Sequence, residues 1–134
     1  MMQKVGTTSL YVNFIMNHME FVPRRLLFKA WNQDTGLLMR LNSIDCVKGE
    51  LFRKDHILLQ FTGLYDQQNE EIYEMDIVLI GGKRYVVVWD DDSNGWGLKS
   101  ISDAGVTRSF VKDVSREAVR ICNYFESRKQ AGII

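Results

Sequence analysis

Residues 76–101, DIVLIGGKRYVVVWDDDSNGWGLKSI, decide the fold. IVLI and RYVVVW are β-branched and aromatic runs separated by Gly81-Gly82, a pair suited to the positive φ angles of a two-residue hairpin turn. The acidic tip DDDSNG, with Asn94-Gly95 near its end, then sends the chain back through WGLKSI as a third strand. Along the middle strand Tyr85, Val87 and Trp89 face one way, Val86 and Val88 the other. An antiparallel sheet with one wet face alternates apolar with polar residues, and this one does not. Each face therefore needs a cover: a barrel interior on one side, an N-terminal lobe or a second subunit on the other.

Upstream, LLFKAWN (26–32) and LLMRLNSI (37–44) flank an Asn-Gln-Asp-Thr-Gly turn signal and read as a hairpin, and HILLQFTG (56–63) begins a further strand. Residues 45–56 are more polar and show no firm pattern. In SLYVNFIMNHMEFV (9–22), Tyr11, Phe14, Ile15, Met19 and Val22 recur at helical spacing, with Ser9 as N-cap and Pro23 as stop. His18 lies near that stripe. Downstream, short strands near 107–111 and 118–123 can close a barrel. Over the second of these, Val114, Ala118, Ile121, Cys122 and Phe125 follow a helical stripe, while the β-branched and aromatic content of AVRICNYF suits a strand.

The chain has 134 residues, 46% hydrophobic and 25% charged, as expected of one globular domain. Its 17 basic and 17 acidic residues cancel but are unevenly spread: +3 over residues 1–60, −6 over 61–98 and +3 over 99–134. A general nucleic-acid footprint needs a basic excess that the whole chain lacks. A local patch can still be assembled from the two ends, with Arg24, Arg25 and Lys29 joining Arg108, Lys112, Arg116 and Arg120. Cys46 and Cys122 form no CxxC cluster and read as reduced core thiols. LYVNFIM is too short and too polar in its middle for a leader, and no apolar run reaches the roughly 18 residues that span a bilayer. A cytoplasmic location, without membrane association, is the expectation.

Residues 60–78, QFTGLYDQQNEEIYEMDIV, concentrate carboxylates between two strand patterns. Asp66 can accept a backbone N–H two residues on, Asn69 suits left-handed space, and Gly63 relieves a bend. Glu70, Glu71 and Glu74 are expected to face water, and Asp76 to tie down the chain where it enters IVLI. The run Q-F-T-G-L-x-D-x-x-N-x-E-I-Y-E-x-D-I-V resembles the signature of the YopX family, small proteins of phages and prophages. L-F-K-A-W-N at 27–32, V-V-V-W-D at 86–90 and I-C-N-Y-F-E at 121–126 extend the likeness over residues 24–127. The family-motif positions are Trp31, Thr62, Gly63, Leu64, Asp66, Glu71, Ile72, Tyr73, Asp76, Ile77 and Val78.

The resemblance implies a mainly β fold. An SH3-like small barrel or roll occupies 61–127, beside a β-hairpin lobe over 24–60, a helical N-terminal extension over 1–23 and a tail over 128–134, α+β overall. It also implies a strand rather than a helix over 118–123. Family members carry glycine where this chain has Asn69, Met75 and Cys122. A left-handed Met75 would cost roughly 1–2 kcal/mol, so an ordinary negative φ is expected there. The resemblance implies no catalytic residue, substrate or cofactor.

Catalysis needs acids and bases held in environments that separate their pKa values, and carboxylates on a wet turn do not meet that condition. The tip Asp90-Asp91-Asp92 lacks the Gly and distal Glu spacing of a calcium loop. His18, His56, Cys46 and Cys122 match no zinc knuckle, and Gly81-Gly82 lacks the Lys-Ser/Thr ending of a phosphate loop. No catalytic residue, metal ligand or cofactor is therefore expected. The preferred reading is a non-enzymatic protein-interaction or self-assembly module, a homo-oligomer or a binder of a host or phage protein, using Trp31, Tyr73 and Trp96 as exposed aromatics. The alternative is a nucleic-acid-binding accessory protein of a mobile element. A small hydrolase with a dispersed site ranks behind both.

Overall fold

The computed structural model describes residues 20–102 and 105–132. Eleven strands and two short helices follow one another along them. β1 (Phe28–Asn32), β2 (Leu37–Arg40), β5 (His56–Tyr65) and β6 (Glu71–Tyr73) form a four-stranded sheet in the order β2-β1-β5-β6. β3 (Asp45–Val47) and β4 (Glu50–Phe52) pair only with each other. β7 (Asp76–Ile80), β8 (Lys83–Asp90), β9 (Gly95–Ser100), β10 (Val106–Ser109) and β11 (Val119–Asn123) make a five-stranded sheet in the order β10-β9-β8-β7-β11. Every pairing is antiparallel. Helix α1 (Lys112–Ser115) leads into β11, and α2 (Tyr124–Gln130) follows it directly.

The 76–101 reading holds strand for strand, and Gly81 and Gly82 take φ of 58° and 79°, as a tight hairpin turn requires. Both faces of β8 are covered at its centre: Val86 and Val87 are buried, while Trp89 at the far end is exposed. Val87 belongs to a cluster with Ile72, Val78, Ile80, Leu98, Phe110 and Ala118, so β6 of the first sheet caps the concave side of the second. Burying a side chain of this size contributes about 1.5–3 kcal/mol. The disputed 118–125 segment divides at Asn123 into strand and then helix, so each conflicting pattern describes part of it. Asn123 makes the switch by accepting from the N–H groups of Phe125 (2.8 Å) and Glu126 (3.2 Å) as N-cap.

Several expectations are corrected. The helix over 9–22 falls mainly outside the described residues, and 20–22 carry no helix. Cys46 is exposed on β3 and Cys122 half-buried, so the thiols do not share a core. Met75 has φ of 68°, not a negative value. Here the chain leaves the first sheet for the second, and both backbone groups are engaged: the Met75 N–H donates to Val87 O and its carbonyl accepts from Tyr124 N–H, each at 2.7 Å. Two short hydrogen bonds override the intrinsic preference of a non-glycine residue. Met75→Gly should accordingly raise stability by about 0.5–1 kcal/mol, the left-handed penalty less the greater entropy of glycine in the unfolded chain. A midpoint in urea that stays put or falls would contradict this.

Candidate functional site

The carboxylates of 66–76 do not share one environment. Asp66 is buried and its two oxygens accept three backbone N–H groups: Gln68 (2.8 Å) and Glu70 (2.9 Å) on Oδ1, Arg120 (2.8 Å) on Oδ2. Burial alone would push its carboxyl up, but these three donors and the Arg120 charge together hold it below the usual carboxylate range. Asn69, at φ 63°, closes the turn as its spacing predicts. Gln67 N–H reaches Ala118 O (3.0 Å), so the turn is pinned to the start of β11 at two points.

Asp76 is fully buried. Its Oδ2 accepts from Tyr73 N–H and from Arg120 Nε, both at 2.8 Å, and Oδ1 from Arg120 Nη2 at 3.4 Å. Burial pushes the Asp76 carboxyl above its ordinary value, against the opposing pull of Arg120, the Tyr73 N–H and Lys29. Arg120, although half-desolvated, is held firmly cationic by Asp76. Glu70 is exposed as expected, whereas Glu71 and Glu74 are half-buried, and the expectation that these acids stay solvated is corrected most fully for Asp66 and Asp76. Both are structural acceptors inside the fold, with their lone pairs directed at backbone and guanidinium donors and not at open space.

The other motif positions also hold the fold. Thr62 Oγ1 donates to Ile72 O (2.7 Å) and accepts from Leu64 N–H (3.0 Å), stitching the bulge at Gly63, whose φ is 83°. Leu64 packs against the cluster of Ile72 and Val78, and Ile77 is buried beside Val86 across the β7–β8 ladder. Trp31 is buried, stacked on Phe125 with centroids 5.5 Å apart, and so joins β1 to α2. Tyr73 is buried as well, and Trp96 is half-buried edge-on to the exposed Trp89. Two of the three aromatics expected at the surface are therefore core residues.

What the motif leaves open is a polar basin of about 420 Å³ lined by Arg25, Lys29, Arg40, Tyr65, Glu71 and Arg120, among others. Glu71 lies between two arginines, Arg25 Nη2 at 3.3 Å and Arg40 Nη2 at 3.0 Å, and accepts from Tyr73 OH at 3.4 Å. Lys29 Nζ sits 4.4 Å over the Tyr73 ring. Burial lowers the Lys29 pKa, against the raising influence of Asp76. A second cleft of about 520 Å³, lined by Asp66, Lys112, Ser115 and Arg116, shares Tyr65 and Asn69 with the basin. Five of the seven basic residues picked out in the sequence thus meet at adjoining clefts, and Arg40 joins them from β2.

The second open surface is the β3–β4 hairpin, whose six strand residues are all exposed, Val47, Leu51 and Phe52 included. Its polar sequence concealed it. Among the described residues no three His, Cys, Asp or Glu side chains gather as for a metal ion, and His18 lies outside them. Both His56 ring nitrogens have protein partners, Nδ1 with Lys54 O (2.7 Å) and Nε2 with Asn32 Nδ2 (3.4 Å). No helix among the described residues is long and apolar enough to cross a membrane.

These features define a small antiparallel β protein whose signature residues weld two sheets together. The chain belongs to the YopX family: the family model for the YopX protein matches residues 16–123. The fold is similar to that in the crystal structure of protein EF1440 from Enterococcus faecalis, with a TM-score of 0.56 and 16% identity, covering 81% of this chain and 99% of that one. No curated protein matches the chain.

Proposed function

We propose that this protein is a non-enzymatic self-assembly module in which the β3–β4 hairpin of one copy docks on the same hairpin of another. The observation that carries this reading is that every residue of both hairpin strands is exposed, Val47, Leu51 and Phe52 included. A lone two-stranded ribbon is marginal in water, and its unpaired edges are templates for further strands. A second copy suits it electrostatically. The chain has no net charge, and the hairpin region carries Asp45 and Glu50 against Lys48, Arg53 and Lys54, so a two-fold contact can set acids of one copy against bases of the other. The supporting scaffold reads as an SH3-like roll: a four-strand meander, a short helix, and a last strand that returns beside the first.

Light scattering at about 100 μM should find a dimer, and Leu51→Lys with Phe52→Lys should give a folded monomer with an unchanged far-ultraviolet circular dichroism spectrum. A wild-type monomer at that concentration would refute the proposal. One observation favours a second reading, binding of single-stranded nucleic acid: the two adjoining clefts gather six basic side chains around the exposed Tyr65. Such binding releases counterions and weakens steeply with salt.

A further inference from the structure

We propose that the basin beside β1 is a discrete binding site for a phosphoryl group, held between Lys29 Nζ, Arg40 and Arg120. Lys29 is half-buried, yet among the described residues its ammonium has no hydrogen-bond acceptor and no carboxylate within ion-pair distance; its one close partner is the face of Tyr73, 4.4 Å away. An ammonium that has lost part of its water in this way keeps three donors available for an anion. Lys29 projects from a strand that is paired on both sides, and Tyr73 beneath it is buried, so the donor is positioned before any anion arrives.

Unused N–H donors decide the sign of what fits. Four cations line the basin, Arg25, Lys29, Arg40 and Arg120, against two carboxylates, Glu70 and Glu71. Counting Asp76 behind Arg120 and Glu126, which acts on Lys29 from α2, the charges balance, so an anion is drawn by donors that these acids leave unused rather than by an excess of charge. Glu71 already holds Arg25 and Arg40 in place through one contact each, and the Arg40 side chain is otherwise largely exposed. The preference for phosphoryl over carboxylate rests on number and placement: donors from three separate elements, β1, β2 and β11, suit an anion with several oxygens pointing apart. Tyr65, exposed at the rim shared with the neighbouring cleft, offers a ring for a base carried by that phosphate.

The inference stands apart from the dimer reading and narrows the nucleic-acid one to a single subsite. It is tested by titrating the full chain with inorganic phosphate, adenosine monophosphate, acetate and a short single-stranded oligonucleotide, following amide shifts in low salt. Phosphate and the monophosphate should both perturb β1 and β11, and acetate should do so at least tenfold more weakly. Lys29→Met, which keeps an aliphatic chain on Tyr73, should weaken monophosphate binding by tenfold or more, and Arg40→Gln should do the same from an exposed position. Acetate matching phosphate would overturn the phosphoryl assignment. So would binding that Lys29→Met and Arg40→Gln leave intact. Response to the oligonucleotide alone would overturn the discrete site and leave the polymer reading standing; response to none of the probes would remove both.

Discussion

Replacing Arg120 with methionine should destabilise the fold by about 3–5 kcal/mol, because it strands a fully buried carboxylate rather than trimming a surface ion pair. Arg120 supplies two of the three hydrogen bonds to Asp76, at 2.8 and 3.4 Å, and its side chain is itself only 18% exposed. Methionine keeps an unbranched aliphatic chain at this position, so the loss is chiefly that of the charge and its hydrogen bonds. For a domain whose total stability is about 5–15 kcal/mol, the melting temperature should drop by roughly 10–20 °C. The sign of the pH dependence follows from Asp76. Its folded pKa lies above its unfolded value, and without Arg120 it rises further. Such a group costs stability fully above its folded pKa, and the cost vanishes as pH falls to the unfolded pKa. The gap between wild type and variant should therefore narrow between about pH 7 and about pH 4. Adding Asp76→Asn should recover part of the loss, since an amide oxygen still accepts from Tyr73 N–H. A loss below about 1 kcal/mol, or a gap indifferent to pH, would mean that the pair is not a buried charge pair in any energetic sense.

The range over which residues act explains what could be read before the structure. Local chemistry was legible. The Asp66 to Gln68 hydrogen bond, left-handed Asn69, the bend at Gly63 and the Gly81-Gly82 turn each involve residues within a few positions of one another. Strand periodicity located β7, β8 and β9 for the same reason. Partners distant along the chain were not legible: Arg120 lies 44 residues from Asp76 and 54 from Asp66, and no periodicity links them. The Met75 conformation depended on Val87 and Tyr124, one on each neighbouring strand or helix, so intrinsic preference pointed the wrong way.

The aromatics misled because alternation tells which residues share a face and not which face is inside. Trp31 and Tyr73 turned inward, and among the apolar side chains left accessible are Val47, Leu51 and Phe52, on a hairpin too polar and too short to signal itself. The basin was half legible. Arg25, Lys29 and Arg120 could be gathered as basic residues from the two ends of the chain, whereas Arg40, inside an apolar strand pattern, could not. Most of the family signature holds the sheets together, whereas Glu71 and Tyr73 also line the basin, and the remaining groups available to a partner lie around it.

Asp66→Asn tests that view most directly, since it changes one atom at the joint between the turn and β11. The three N–H groups on the carboxylate lie at 2.8, 2.9 and 2.8 Å, two on Oδ1 and one on Oδ2. An amide oxygen can serve the turn or Arg120 N–H, and its NH2 then opposes a donor on the other side. One buried N–H is left unsatisfied and the charge-assisted bonds become neutral ones, for an expected loss of about 2–4 kcal/mol. Here the pH dependence runs opposite to that of Asp76. The folded pKa of Asp66 is depressed. Its contribution is therefore complete above the unfolded value near 4 and disappears as pH falls through the folded one. The wild-type advantage over Asp66→Asn should be full at about pH 7 and should shrink below about pH 4 as the native carboxylate takes up its proton. Hydrogen exchange gives the local reading: the Arg120 amide should lose protection in the variant by at least tenfold more than amides in β8, where the ladder to β7 and β9 is untouched. Equal loss in both strands would show that Asp66 stabilises the whole fold without particularly fastening β11, and the signature would then lose its role as the weld between the two sheets.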